Sequence, residues 1–158
     1  MQFRTTITTE DAPQIRQLVS QTNVFSPEEV DTAEELLQET LQFGVEKTGY
    51  HFVFLEDAEH FLGYSCYGLI PLTAQSYDLY WIAVSPRAQQ RGLAQKILQK
   101  TEECIRKIGG QQLHAETSGT PAYAAARAFY LKNGFIKAAT FKDFYKAGDD
   151  KVMFVKYL

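Results

Sequence analysis

The sequence predicts a mixed α+β fold, and three observations carry that prediction. Apolar runs with strand character and stretches of helical periodicity follow one another as β-α-α-β-β-β-α-β-α-β-β. Strands succeed each other directly in the middle and at the end of the chain, which departs from regular βαβα winding. Apolar residues are 45% of the 158 positions and charged residues 22%, the balance of a soluble domain with a full-sized core. Residues 1–158 read as a single domain without repeats, linkers or low-complexity segments.

The elements follow in order. Phe3 to Ile7 reads as a short strand. Thr8 and Asp11 have capping-box spacing, and Ile15, Leu18 and Val19 form the apolar stripe of the first helix. Ser26 caps a second helix, Pro27 takes its first position and Glu29 reaches back to the cap. Val30, Ala33, Leu37 and Leu41 continue it at helical spacing until Gly44 stops it. Tyr50 to Leu55 and Phe61 to Ile70 are strands joined by a polar turn at Glu56 to His60, with Pro71 closing the second. Tyr77 to Val84 is almost wholly apolar or aromatic, as a central strand should be. Leu93, Ile97, Leu98, Thr101, Ile105 and Ile108 mark one helix face, closed by Gly109-Gly110. Gln112 to Thr117 is a strand, and Thr120-Pro121 opens a helix that ends at Asn133-Gly134. Ile136 to Tyr145 and Val152 to Tyr157 form a hairpin around Gly148-Asp149-Asp150.

Composition excludes several classes. A net charge of −3 leaves no electrostatic footprint for nucleic acid. No apolar run reaches membrane-spanning length, and the N-terminus lacks a signal-peptide pattern. Cys66 and Cys104 make no disulfide framework and read as buried thiols in a reducing cytoplasm. His51, His60 and His114 are scattered without metal-ligand spacing, so no metal is expected. Tyr64, Tyr67, Tyr80 and Trp81 read mostly as core aromatics, with one or two left to line a pocket.

The stretch from Asp78 to Ala94 says most about function. An apolar strand leads through a short basic, Gln-rich turn containing Gly92 straight into a long amphipathic helix. A helix N-terminus offers free N–H groups and a partial positive charge, and a glycine there admits a phosphate close to the backbone. A phosphorylated cofactor therefore belongs at this turn. The three glycines of a dinucleotide fingerprint and the Gly-Lys-Ser/Thr of a nucleotide phosphate loop are both missing. Gln89-Gln90-Arg91-Gly92-Leu93-Ala94 instead resembles the acyl-CoA pyrophosphate loop, Gln/Arg-x-x-Gly-x-Gly/Ala, of the GNAT superfamily of N-acyltransferases. Ala126-Arg127-Ala128-Phe129-Tyr130-Leu131-Lys132-Asn133-Gly134-Phe135 is similar to a second segment of that family, at the usual distance. The resemblance covers most of the chain.

That resemblance implies a central mixed, mostly antiparallel sheet flanked by helices. The strands ending near Val84 and starting near Gln112 would splay apart to take the thioester. It implies acetyl-CoA as co-substrate, with Gln89, Gln90, Arg91, Gly92, Leu93 and Ala94 on the pyrophosphate. Ile82, Ala83 and Val84 would lie along the pantetheine arm, and Arg87 or Arg91 would add charge. The chain departs from the pattern at Tyr123, where many members carry an Asn that touches the cofactor.

Moving an acyl group from a thioester to an amine needs a base for the amine's proton and an acid for the thiolate. A tyrosine, with a pKa of about 10, suits the acid role. Tyr130 also matches the family's catalytic tyrosine, and its bland alternative is an aromatic that packs helix on sheet. Asp78 is the base candidate, because its apolar and aromatic neighbours Tyr77, Leu79, Tyr80 and Trp81 should desolvate it and raise its pKa. An acid stands at the corresponding strand position in some family members. Glu116 on the neighbouring strand is the rival, and a water relay is the third option. Asp149-Asp150 reads as a turn.

These residues point to a cytoplasmic N-acetyltransferase acting on a primary amine of a small molecule or peptide, by direct attack in a ternary complex. The alternatives are a protein N-terminal or lysine acetyltransferase, and a non-catalytic acyl-CoA-binding or sensing domain. Neither a nucleic acid nor a membrane is expected as partner, and a homodimer is compatible with the sequence.

Overall fold

Local signals account for most elements of the computed structural model, which describes residues 1–88 and 92–158. The chain runs β1 (Gln2–Arg4), α1 (Asp11–Gln21), α2 (Pro27–Phe43), α3 (Val45–Thr48), β2 (His51–Glu56), β3 (Phe61–Leu69) and β4 (Ser76–Val84). It continues with α4 (Leu93–Lys107), β5 (Gln112–Ser118), α5 (Ala124–Lys132), β6 (Ile136–Lys146) and β7 (Asp149–Tyr157). This is the expected α+β order with one addition, the single turn α3 after Gly44. The pairs β1–β2, β2–β3, β5–β7 and β6–β7 are antiparallel, and β4–β5 is parallel.

Two compact units share the chain. The first comprises Met1–Gly68 and Leu79–Cys104, the second Leu69–Asp78 and Ile105–Leu158. Strand order is β1-β2-β3-β4 in the first and β4-β5-β7-β6 in the second, so β4 contributes to both.

In the first unit, strand alternation feeds two cores. Phe52, Phe54, Tyr64 and Cys66 pack against Ile15, Leu18 and Val19 of α1 and Val30, Ala33 and Leu37 of α2. Leu55, Leu62 and Val84 pack against Leu93 and Ile97 of α4. Gly63 permits the close approach of α4, because a Cβ there would lie 2.7 Å from the Ala83 carbonyl and 2.8 Å from the Ile97 side chain. Truncating fully buried Ile97 to Ala should cost about 2–5 kcal/mol.

The two predicted caps behave differently. At α2 both halves of the box form: the Glu29 N–H donates to Ser26 Oγ at 3.2 Å and the Ser26 N–H to Glu29 Oε2 at 2.8 Å. At α1 the Thr8 N–H donates to Asp11 Oδ2 at 2.7 Å, but no side chain caps the helix. Asp11 is claimed by Arg4, whose guanidinium meets both its oxygens at 2.7 and 3.0 Å and also reaches Glu56. The acid read as a cap is one half of a buried ion pair that ties α1 to β1.

In the second unit α5 covers one face of β5 and β7. Tyr130 and Phe135 are buried with Leu113, Ala115, Val152 and Phe154. Two details correct the sequence reading. Ile108 is exposed, because the Gly110 N–H bonds back to the Ile105 carbonyl and ends α4 one residue earlier. Cys104 is half-buried rather than buried.

Candidate functional site

The predicted cofactor turn belongs to the first unit. β4 ends at Val84, and the Ser85 N–H still bonds to the Leu62 carbonyl at 2.9 Å. A single 3-10 turn, Pro86–Ala88, follows, and α4 starts at Leu93. The predicted contacts Gln89, Gln90 and Arg91 lie outside the described residues. Gly92 has φ +68°, a left-handed conformation that side chains disfavour, and its carbonyl accepts the Lys96 N–H at 3.2 Å. Nothing lies within 4 Å of where its Cβ would be. Conformation, not crowding, calls for glycine here, and the space it leaves is open. No acidic side chain occupies the first turn of α4 among the described residues. A fifteen-residue helix with an open, acid-free start fits a pyrophosphate. Leu93 is buried in the core behind the turn, so it could meet a ligand through its backbone alone. Ile82 and Ala94 pack partly against the same core, and Ala83 and Val84 are buried.

The candidate base belongs to the second unit. The parallel ladder between β4 and β5 is three residues long, from Ser76–Gln112 to Asp78–His114. Along β5, Leu113, Ala115 and Thr117 are buried under α5, while Gln112, His114, Glu116 and Ser118 face the other way. Asp78 is paired with His114 and shares that second face. Its carboxyl is pushed above the usual range, first by burial and then by Glu116, with His114 and Lys151 opposing. Sequence neighbours are not the whole cause: charged groups on β5 and β7, distant in sequence, also set its proton affinity. Glu116 Oε2 stands 2.8 Å from Lys151 Nζ. His114 Nε2 lies 3.0 Å from Gln112 Oε1.

Tyr130 lies on the opposite face. Its ring meets Phe135, Phe154 and Phe129 at centroid distances of 5.1, 5.4 and 5.6 Å. Burial pushes its phenol well above the ordinary value, so it keeps its proton at neutral pH. Arg127, one turn earlier on α5, donates to the carbonyls of Ser118 and Thr120, both at 2.8 Å. The Ser118 hydroxyl donates to Asp149 Oδ1 at 2.5 Å. The end of β5, the first turn of α5 and the start of β7 are thereby held together. Asp149 does more than shape the predicted turn; Asp150 does that, accepting the Asp143 N–H at 2.9 Å.

Residues 47–137 match the family model of the acetyltransferase (GNAT) domain. The chain belongs to the GNAT acetyltransferase family. A crystal structure from Desulfovibrio desulfuricans, assigned to the same family, is 44% identical and superposes with a TM-score of 0.96 over 99% of this chain and 98% of that one. The fold is also that of the ribosomal-protein-S18-alanine N-acetyltransferase of Escherichia coli, with 19% identity, TM-score 0.75 and coverage of 99% and 94%. The PaiA N-acetyltransferase of Thermoplasma acidophilum, solved with coenzyme A, gives 17% identity, TM-score 0.74 and full coverage of both chains. No protein of curated function matches the sequence.

For a GNAT transferase, the sequence reading missed His114, Ser118 and Lys151 as members of the Asp78 face. The period-2 run His114-x-Glu116-x-Ser118 carried the signal for the first two. Lys151 needed the β5–β7 register, in which it pairs with Ser118. Tyr80 is exposed rather than core, and Trp81 packs partly against α1 and α2. A cavity of about 540 Å³ in the first unit borders the turn after β4 at Ser85, Arg87 and Ala88; Gln14, Gln17 and His60 also line it, and it holds the predicted cofactor contact Arg87 but none of the predicted catalytic residues. Among the described residues no group of three or more His, Cys, Asp or Glu could hold a metal ion, and no helix is long and apolar enough to cross a membrane.

Proposed function

We propose that the chain acts as one domain that transfers an acetyl group from acetyl-CoA to a primary amine of a small molecule or peptide. The observation that carries this reading is the open, acid-free start of α4 at Gly92, in a chain whose residues 47–137 match the acetyltransferase (GNAT) domain.

When bound, acetyl-CoA supplies an acyl thioester. The backbone N–H groups of the turn through Gly92 to Ala94 hold its pyrophosphate, and the β4 backbone at Ile82 to Val84 orients the arm beside it. Asp78 takes the proton from the incoming ammonium at a carboxylate oxygen, which leaves the nitrogen lone pair free to attack. An alkyl ammonium has a pKa of about 10.4, so an acceptor is nearly all protonated at neutral pH and a base of raised affinity is useful. Glu116 holds a second negative charge nearby, which attracts the ammonium and favours the protonated form of Asp78 once transfer is done. Tyr130 gives its phenolic proton at Oη to the departing thiolate. Arg127 and Asp149 hold the first turn of α5 and the start of β7 to the end of β5.

The test is thiol release from acetyl-CoA across a panel of amines, amino acids, polyamines and peptides. Amine-dependent release is the expected result. Tight CoA binding with no release across the panel would defeat the enzyme reading and leave a sensing domain.

A further inference from the structure

We infer that the acceptor is a primary amine carried on an aromatic or similarly flat apolar body, without a carboxylate. The inference rests on the acetyltransferase reading above and names the substrate class of that site. It comes from what lies beside Glu116. Lys151 Nζ stands between two groups: Glu116 Oε2 at 2.8 Å and the Phe144 ring, whose centroid is 4.5 Å away. A carboxylate and an aromatic face thus already hold an ammonium on the Asp78 side of the sheet. Phe144 does not stand alone. Phe141 and Tyr145 lie 6.3 and 5.1 Å from it, ring centre to ring centre. Phe141, Phe144 and Tyr145 are 51%, 55% and 47% exposed, on a strand that hardly buries a residue. Such an aromatic group is a poor surface for water and a good one for a flat partner.

The charges select the partner's other end. Asp78 and Glu116 are two carboxylates facing one ammonium, Lys151. That ammonium is already held by Glu116, so an acceptor carboxylate would have to break the pair to be bound. An incoming ammonium meets the remaining negative charge at Asp78. The reach also fits. Neighbouring strands are about 4.8 Å apart and two residues span about 6.6 Å, so Asp78 and Glu116 lie about 8 Å apart at the backbone. An arylethylamine with its nitrogen at Asp78 would lay its ring past the Glu116–Lys151 pair, toward the exposed rings of Phe141, Phe144 and Tyr145.

Phenethylamine, phenylalanine, butylamine and spermidine separate the possibilities. Calorimetry measures their binding to the protein with CoA, and thiol release with acetyl-CoA measures their turnover. Phenethylamine should have the best kcat/KM and should bind; phenylalanine, which adds only a carboxylate, should be worse. Phe144→Ala should raise KM for phenethylamine about tenfold more than it does for butylamine, and Phe144→Leu should recover part of the loss. Best turnover with spermidine or phenylalanine, or an equal effect of Phe144→Ala on every amine, overturns the inference and leaves the enzyme reading intact. Phenethylamine binding that Phe144→Ala weakens, with no thiol release, keeps the aromatic-amine site, defeats the enzyme reading and overturns the inference that its occupant is an acetyl acceptor. A dimer in sedimentation that Phe144→Ala dissociates would assign the aromatic group to a second copy of the chain and overturn the inference.

Discussion

The turn after β4 and the acidic face of β4, β5 and β7 use the polypeptide in opposite ways. The turn presents backbone. Its one demanding residue, Gly92, is needed for a positive φ, and Leu93 behind it is buried. The face presents side chains. Asp78, His114, Glu116 and Lys151 come from three strands and act through proton affinity and charge. Backbone recognition binds one constant ligand and is indifferent to most side chains around it. Side-chain recognition is open to revision one residue at a time.

If the division holds, changes on the α5 and Asp78 side should alter turnover and leave cofactor affinity alone. The largest effect is expected from Tyr130→Phe. Its ring contacts stay and its proton is lost, so kcat should fall about 10²–10⁴-fold. Calorimetry should find CoA affinity unchanged. Wild-type turnover would reduce Tyr130 to a packing residue.

Gly92→Asp probes the other side. Asp tolerates a positive φ better than most residues and suits a helix start, so the protein should still fold, with a melting temperature lowered by the left-handed strain. Its charge would stand where a pyrophosphate must sit, and CoA affinity should drop by about tenfold or more. Unchanged affinity would remove the cofactor from this turn.

Asp78→Asn sharpens the comparison through pH. Wild-type rate should fall as pH drops through the raised Asp78 pKa, and the variant should lack that limb. It should regain part of its activity at alkaline pH, where more acceptor is already deprotonated. Stability should move the other way. A carboxyl whose folded pKa is raised stabilises the fold fully below its unfolded pKa, about 3.9, and loses that contribution as pH rises through the folded value. At neutral pH the variant should therefore melt no lower than wild type. A pH–rate profile parallel to wild type would pass the base role to Glu116 or a water relay.

The smallest effect belongs to a residue outside both regions. The Tyr64 hydroxyl is buried in the first unit without a hydrogen-bond partner among the described residues. Tyr64→Phe should raise stability by up to about 1 kcal/mol, read as a higher melting temperature, and leave kcat alone.

These two regions also differed in how far they could be read from the chain. The cofactor turn is contiguous, so strand, turn and helix signals fall within seventeen consecutive residues, Asp78 to Ala94. The α2 cap was legible for the same reason. Thr8 and Asp11 were legible only in part: the Asp11 carboxylate takes the Thr8 N–H, but the Asp11 N–H goes to the Thr8 carbonyl instead of its side chain, and the pairing of Asp11 with Arg4 on β1 has no local signal. α3 is too short to show a period. On the acidic face, Asp78 and Glu116 were found singly, each as an acid on a strand. Their grouping with Lys151 depends on the register of β5 and β7, and Phe144 depends on an irregular ladder. Neither leaves a mark in local sequence.

That irregularity on β6 has a consequence for the behaviour of the protein at high concentration. β6 is an eleven-residue edge strand carrying exposed aromatics, a form that invites strand addition and precipitation. Its register with β7 slips between Phe141 and Lys146, and Asp143 within that span sits at φ +53°. An edge bent in this way offers no straight template for a neighbour's backbone, and Lys142 and Lys146 add charge along it. The rings stay exposed while the strand that carries them stays poor at recruiting another chain. Straightening the bulge would be a route to aggregates even if every ring kept its place.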